Sequence, residues 1–147
     1  MNKIELKEKM ISIQNDLILN LEKTLNDYNT GADLDEDNTL DIEDLSHQDE
    51  FNDIRNSLSS RYKNAKTDLE NLKDMNFDES NSIEKGAIVQ LNKLNYVIGI
   101  AIPKFKLHDK TYVGISENAP IIKHMKSKNI GESFMFNDKK FVINDIL

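Results

Sequence analysis

Cysteine is absent from this 147-residue sequence, and so is any long apolar run. Without cysteine the chain has no disulfides and no thiolate metal sites, which favours a reducing, cytoplasmic setting. No stretch approaches the roughly 20 apolar residues that span a bilayer, and residues 1–10 mix charges of both signs. We therefore expect a cytoplasmic protein that is neither secreted nor inserted in a membrane.

Basic residues are in the minority, with 19 Lys and Arg against 26 Asp and Glu and a net charge of −7. Nonspecific binding to duplex DNA depends on basic side chains that neutralise phosphates, so this balance argues against independent DNA binding. The sequence also has no Ser-His-Asp spacing, no Gly-rich phosphate-binding loop and no zinc pattern. A protein or metal partner is expected instead.

Apolar residues recur every seven positions in two stretches of the N-terminal half. The two series are Ile4, Ile11, Ile18 and Leu25, then Phe51, Leu58, Ala65 and Leu72. This spacing is typical of amphipathic helices that face each other along a seam. Asn29-Thr-Gly31 is predicted to end the first helix, and Ser46 to cap the second, with Asp49 and Glu50 in its first turn. Residues 1–76 are thus predicted to form an antiparallel coiled-coil hairpin.

The second helix also carries four basic residues close together. They are Arg55, Arg61, Lys63 and Lys66. We interpret them as a solvated face of the coiled coil, with contact to RNA or to a protein partner as the alternative.

An acidic segment, residues 33–50, joins the two helical patterns and has nine carboxylates but no Lys or Arg. Such a segment repels itself unless a cation or a basic partner is close. We expect a solvated tip that binds metal.

The same segment also fits the ligand spacing of an EF-hand calcium loop. The matching residues are Asp33, Asp35, Asp37, Thr39, Asp41 and Asp44. Against this hypothesis, Asn38 replaces the usual glycine at the sixth position and no second EF-hand is present. A single calcium site is an alternative interpretation.

The composition changes after a short polar segment, residues 77–82, which we interpret as a linker. Runs of β-branched and aromatic residues follow, and they predict strands at residues 87–91, 96–102, 111–115, 133–136 and 141–143. The intervening stretches predict an edge or loop at residues 104–110, a short helix at Ala119 to Lys126, and a hairpin turn at Asn137-Asp138. Residues 83–147 are therefore predicted to form a small α+β domain.

Two motifs resemble those of the bacterial Gre-type transcript-cleavage factors. Asp44-Leu-Ser-His-Gln-Asp-Glu-Phe51 is similar to the Asp-Leu-Ser-Glu-Asn-Ala-Glu-Tyr segment at the coiled-coil tip of that family. Ile115-Ser-Glu-Asn-Ala-Pro-Ile121, followed by Gly131-Glu132, resembles the family's Ser-x-Asp-Ser-Pro-Ile and Gly-Asp pattern. The resemblance covers nearly the whole chain and implies an FKBP-like fold for residues 83–147.

The resemblance implies a monomeric factor that binds bacterial RNA polymerase at its secondary channel and meets the RNA 3′ end only within that complex. The tip carboxylates then help to hold a Mg²⁺ shared with the polymerase active site, and the polymerase itself cleaves the backtracked RNA. Asp44 and His47 take the catalytic positions, and Asp41, Glu43 and Asp44 are the expected metal ligands. Carboxylates suit Mg²⁺, a hard cation that takes oxygen ligands.

The tip segment differs from the family pattern at four positions, and one of these differences affects an acid, because His47 stands where a second acid, Glu, is expected. Either the site works with a weakened second ligand, or a spare carboxylate such as Asp41 or Glu43 substitutes for that acid. Two functions stay open: stimulation of transcript cleavage, and noncleaving regulation through the secondary channel.

The docking motif departs as well. The implied partner-binding residues are Asn118, Ala119, Pro120 and Ile121. Compared with Asp-Ser-Pro, this version keeps the proline but loses a charge and a hydroxyl, so altered docking is expected. An FKBP-like fold also raises prolyl isomerase activity as an alternative, but fold analogy alone supports it and the domain has few aromatic residues for a proline pocket.

Overall fold

The computed structural model describes residues 2–34, 42–78 and 80–147, with side chains in these ranges except at 31–34 and 42–46. Two long helices, α1 (Lys3–Leu34) and α2 (Ile42–Asp74), precede six strands and one short helix. The later elements are β1 (Ile88–Leu91), β2 (Leu94–Gly99), β3 (Ile102–Leu107), β4 (Lys110–Ser116), α3 (Pro120–Met125), β5 (Ser133–Phe136) and β6 (Lys139–Ile146). The predicted α+β class is confirmed.

Helix α1 extends further than the sequence predicts. It continues through Asn29-Thr-Gly31 to Leu34, so the predicted end at these residues is wrong. Within this stretch Thr30 Oγ1 donates a hydrogen bond to the Asn26 carbonyl at 2.8 Å, four residues earlier. A single glycine costs a helix only about 1 kcal/mol relative to alanine, which neighbouring helix-forming residues offset.

Helix α2 begins earlier than predicted. Its first residue is Ile42, so Ser46 lies inside the helix and is not its N-cap. Asp49 and Glu50 therefore lie beyond the first turn. The residues before Ser46 are Ile-Glu-Asp-Leu, and all of them are compatible with a helix. A serine inside a helix costs only about 0.5 kcal/mol relative to alanine.

The chain divides into two compact units. One is the helical unit, residues 13–69, and the other is the sheet unit, residues 1–12 together with 70–147. The linker predicted at residues 77–82 falls within the sheet unit, and the predicted domain boundaries stay a prediction. In the part of the chain that the structure describes, no helix combines the length and apolar character needed to cross a lipid bilayer.

In the helical unit, the contacts between α1 and α2 run in opposite order along the two helices. Gln14 Nε2 donates a hydrogen bond to the Ala65 carbonyl at 2.9 Å, and the ring centroids of Tyr28 and Phe51 lie 5.1 Å apart. Gln14 is only 2% exposed. Because a buried amide without a partner costs about 1–3 kcal/mol, this bond makes its burial tolerable.

The apolar seam of α1 differs from the predicted series. Ile4, the first residue of that series, is 72% exposed, whereas Leu6 and Met10 are fully buried. Leu6, Met10 and Gln14 are four residues apart, so the buried face includes a polar residue that an apolar pattern cannot select. On α2, Leu72 is buried as predicted.

Within the sheet unit, Lys7 joins the N-terminal residues to the end of α2. Its Nζ donates hydrogen bonds to the carbonyls of Lys73 at 2.6 Å and Met75 at 2.9 Å, and lies 5.8 Å from the Phe77 ring centroid. The last carbonyls of a helix lack partners within it, and a cation there also interacts favourably with the helix dipole. Lys7 thus acts as a C-terminal cap for α2.

The six strands form one mixed sheet in the order β3-β4-β2-β1-β6-β5. Strands β2 and β4 are parallel, and the other neighbours are antiparallel. Helix α3 buries Ile121, Ile122 and Met125 in a core with side chains from the strands. The strand and loop residues of this core are Ile83, Ala87, Val89, Leu91, Ile98, Phe134, Ile143 and Ile146.

The strand predictions need one correction. The single strand predicted at residues 96–102 is two, because β2 ends at Gly99, whose φ is 138°. A Cβ at Gly99 would lie 2.7 Å from Met75 Sδ, so both the backbone angle and the close approach require glycine. The stretch predicted as an edge or loop is edge strand β3 with its turn, and Asn137-Asp138 forms the predicted hairpin turn with positive φ at both residues.

Candidate functional site

The predicted metal site falls largely outside the described residues. Asp41 is not among them, nor are the side chains of Glu43 and Asp44, although both residues belong to the start of α2. His47 is an exposed residue of the same helix. Since residues three or four apart are neighbours on a helix surface, α2 puts positions 43 and 44 next to position 47. Metal binding by these residues stays a prediction.

The EF-hand alternative depends on the same segment. Residues 35–41 lie outside the described part of the chain, as do the side chains of Asp33 and Asp44. Among the side chains that the structure does describe, no group of three or more His, Asp or Glu residues is arranged to hold a metal ion. The calcium hypothesis is therefore also untested.

Close in sequence to the acidic segment, Tyr28 of α1 and Phe51 of α2 form an aromatic pair. Their rings are tilted by 44° at a centroid distance of 5.1 Å, a favourable geometry for two aromatic side chains. Tyr28 precedes the segment and Phe51 follows it. The pair therefore connects the two helices where the chain enters and leaves the acidic segment, and it gives the last residue of the tip motif a packing role.

The helical unit carries a polar groove of about 610 Å³ between α1 and α2. Tyr62 lies in it, with Lys66 Nζ 5.3 Å from its ring centroid. The charged lining residues are Glu22, Arg55, Lys63 and Lys66. Three of the residues interpreted from sequence as a solvated face are therefore gathered in one groove, where their combined potential attracts anions.

The predicted partner-binding residues surround the start of α3. Pro120 is the first residue of the helix, where its fixed φ and missing N–H are best tolerated, and Ala119 is the N-cap. The Ala119 N–H donates to the Ser116 carbonyl at 2.9 Å. Asn118 and Pro120 are exposed and available to a partner, whereas Ile121 is only 8% exposed and belongs to the core.

The Gly131-Glu132 motif forms a tight turn before β5. The Glu132 carboxylate accepts hydrogen bonds from the Asn129 backbone N–H at 2.6 Å and from Asn129 Nδ2 at 3.1 Å, and lies 3.6 Å from Lys128 Nζ. The backbone hydrogen bond is the main cause that lowers the pKa of Glu132, and the Lys128 charge lowers it further. Glu132 therefore has a structural role, which its place in the motif alone does not reveal.

Comparisons with protein-family models, with curated proteins and with solved structures found no match to this chain. What the fold defines is an α+β protein with two long N-terminal helices and a six-stranded mixed sheet. The Gre-type assignment therefore depends on the two sequence motifs and on the elements that carry them.

Proposed function

We propose that this protein is a secondary-channel factor of bacterial RNA polymerase that stimulates the polymerase's own cleavage of backtracked RNA. The observation that carries the proposal is the order of parts: α1, the acidic segment with the tip motif at the start of α2, and a mixed sheet whose short helix begins at Pro120. The Gre-type factors, which both motifs resemble, have the same order of parts.

Two finer features of the fold belong to this proposal. We infer an antiparallel coiled-coil hairpin for the N-terminal helices, supported by the Gln14 to Ala65 hydrogen bond and the pairing of Tyr28 with Phe51. We also infer an FKBP-like fold for residues 83–147, which the second motif supports. A helix of 32 residues is about 48 Å long at 1.5 Å per residue, which suits a probe for a deep channel.

The residue types of the tip suit the proposed chemistry. Carboxylate oxygens are the donors that Mg²⁺ prefers, so Asp44, with Asp41 or Glu43, fits the ion as a ligand set. Held by these carboxylates together with ligands of the polymerase, the ion would supply stabilisation of the negative charge that develops on the attacking water oxygen and on the leaving oxygen of the RNA. His47, three positions after Asp44 in α2, orients a water through a hydrogen bond. The factor supplies ligands to the polymerase and is not itself an enzyme.

The groove of the helical unit fits the same proposal. Arg55, Lys63 and Lys66 attract the anionic RNA 3′ segment when the protein is bound to the polymerase. Outside that complex, the net charge of −7 opposes nucleic-acid binding. We therefore expect RNA contact only within the polymerase complex.

A cleavage assay on a backtracked complex, with polymerase from the same organism, tests the proposal. Asp44→Ala should slow cleavage about 10-fold to 100-fold, the usual range for a lost metal-site residue, while affinity for the polymerase stays within a factor of about 2. Asp49→Ala, which removes an exposed carboxylate outside the predicted ligand set, is the matched control and should cleave like wild type. Equal inhibition by wild type and Asp44→Ala, with no cleavage by either, would establish a noncleaving regulator instead.

The role of His47 is tested in the same assay. If the histidine weakens a family-like metal site, His47→Glu should increase Mg²⁺-dependent cleavage, because a carboxylate is the better ligand. Asp41→Ala and Glu43→Ala should then have little effect. If the extra acids have replaced the missing Glu, these two variants lose activity and His47→Glu gains none. If none of the three substitutions changes the rate of cleavage, the metal is not bound at this position.

Calorimetric titration of the isolated protein with Ca²⁺ separates the EF-hand alternative. A tip that completes its metal site only inside the polymerase should bind calcium weakly when free. A dissociation constant at or below about 10 μM, in the range of calcium sensors, would favour the EF-hand-like loop.

A further inference from the structure

The C-terminal part of this acidic protein has a positive net charge, whereas the N-terminal part has a negative one. Residues 83–147 contain ten Lys and six acidic residues, whereas residues 1–82 contain nine Lys and Arg and twenty acidic residues. Five of the ten lysines lie within residues 119–142, which contain only two acidic residues. This region starts at the predicted docking residues.

Helix α3 and the β5–β6 hairpin bring three of these lysines to one surface. Lys123 is exposed on α3, and the exposed Lys126, three residues further, is the C-cap of that helix with a helical backbone conformation, so the two are neighbours on one surface. Between them, His124 packs its ring 5.5 Å from that of Phe136 on β5. Phe136 is paired in register with Lys139 on β6, and directly opposed residues of an antiparallel pair point to the same face. We call this surface, formed by Lys123, Lys126 and Lys139 around the His124–Phe136 contact, the basic face.

The three lysines of the basic face have no internal counter-charge. Within the residues that the structure describes, none of them forms an ion pair, whereas the nearby Lys128 is paired with Glu132 at 3.6 Å. The acidic residue closest to them in sequence is Asp138, next to Lys139 in the hairpin turn. Exposed Glu117 is also close, next to Asn118, so two carboxylates stand against three ammonium groups; the face is still positive and is complementary to an anionic partner.

The basic face also adjoins residues that the proposed function already assigns to docking. Asn118 and Pro120 are exposed at the start of α3, and Lys123 follows within the same helix. The motif at this position has lost the family's charge and hydroxyl, while Ile121 is buried. Side chains other than those of the motif must therefore provide part of the docking energy and specificity.

We infer that the basic face docks an acidic segment of an RNA polymerase polypeptide, extending the docking surface from Asn118 and Pro120 onto Lys123, Lys126 and Lys139. This inference depends on the proposed function. A polypeptide segment suits the face better than a nucleic acid does, because the twenty acidic residues of residues 1–82 repel a long polyanion. A short acidic segment carries its charge locally, and the half-buried Phe136 offers it an apolar contact.

Charge reversal tests the inference in an equilibrium binding assay with polymerase from the same organism. The face variant is Lys123→Glu, Lys126→Glu and Lys139→Glu. The matched control is Lys104→Glu, Lys106→Glu and Lys110→Glu, which makes the same change in net charge at exposed positions on β3 and β4, at the other end of the strand order. At about 0.1 M salt we expect the face variant to bind about 10-fold or more weakly and the control within about 3-fold, with the difference shrinking as salt is raised.

One further variant and one further probe separate the outcomes. Replacing the same three lysines by arginine keeps the charge and should restore affinity, and circular dichroism melts confirm that every variant is folded. Equal weakening by the face and control variants would overturn the inference, because only net charge would then matter. The inference also fails if the face variant loses binding to a short fluorescent single-stranded oligonucleotide while its polymerase affinity is unchanged. Failure of the wild-type protein to bind polymerase at all would instead refute the proposed function, and this inference with it.

Discussion

At the scale of single residues, Lys7 shows how a surface lysine stabilises the end of a helix. Its ammonium group donates to the carbonyl of Lys73, in the last turn of α2, and to that of Met75, just beyond the helix. Lys7→Met keeps the aliphatic stem but removes both donors, so we expect a loss of about 1–2 kcal/mol in the free energy of unfolding. Urea denaturation measures this loss. Lys9→Met is the control, since Lys9 is exposed, and an equal effect of both substitutions would show that Lys7 caps nothing.

The lowered pKa of Glu132 predicts that the free energy of unfolding depends on pH. The Asn129 backbone N–H lowers the pKa of Glu132 in the folded protein, so its ionised form favours folding. That contribution is complete above the pKa that Glu132 has in the unfolded chain and is lost as the pH falls through its lower pKa in the folded protein. The stability difference between wild type and Glu132→Gln should therefore be larger at neutral pH than in acid, as measured by urea midpoints. Asn129→Ala retains the backbone donor and should retain this pH dependence, and a difference that does not change with pH would contradict the assignment.

Residue burial could be predicted from the sequence only in part. The sevenfold series correctly selected Ala65 and Leu72, because an apolar repeat reports the face that a helix buries. It missed Gln14, whose burial depends on a hydrogen bond to a carbonyl of another helix. It also placed Ile4 in the seam, although Ile4 is mostly exposed and Leu6, two residues later on a different face of the helix, is the buried residue. Whether such a residue is buried depends on its contact with another element of the fold, and a local sequence pattern does not identify that contact.

At the scale of elements, Gly31 separates two descriptions of α1. The helix includes Gly31, so Gly31→Ala should stabilise the protein by about 0.5–1 kcal/mol, since alanine is the better helix former. A glycine that ended the helix with a positive φ would give the opposite result. Gly131→Ala provides the matched control, because Gly131 has a φ of 88° and the same substitution there should be destabilising. Thermal and urea denaturation of both variants measure the two signs.

The polar segment before the sheet shows why composition predicts an element but not its packing. Its polarity indicates correctly that α2 ends before it. Yet Phe77 is only 9% exposed, and the hydroxyls of Ser80 and Ser82 each donate to Glu84 Oε1 at 2.8 Å, which lowers the pKa of Glu84. Likewise, the alternation of lysine with apolar residues in β3 is typical of edge strands that avoid pairing with other chains.

At the scale of the whole molecule, the sequence predicted the class of fold and the order of its helices and most of its strands, but it did not separate β2 from β3. Local periodicity is sufficient for that, because helices and strands differ in their repeat. Local periodicity does not predict the order of the strands in the sheet, because the parallel pairing of β2 with β4 depends on contacts between residues distant in sequence. The candidate site is different again: the tip residues were selected through a motif, and metal binding by them stays a prediction.

The sheet core makes a last prediction about how the chain can be divided. All of its core residues, from Ile83 to Ile146, lie within residues 83–147, so this fragment should fold alone and compete with the full-length protein for polymerase. It should show no cleavage activity, because it lacks the acidic segment.

Residues 70–82 add the buried side chains of Met75 and Phe77, and Met75 contacts the backbone at Gly99. Since burying one such side chain contributes about 1.5–3 kcal/mol, a fragment of residues 70–147 should be at least about 2 kcal/mol more stable. Circular dichroism and urea denaturation of the two fragments measure both expectations. An unfolded 83–147 fragment beside a folded 70–147 fragment would move the domain boundary into the end of α2, and two unfolded fragments would show that residues 1–12, including Lys7, are indispensable to the sheet.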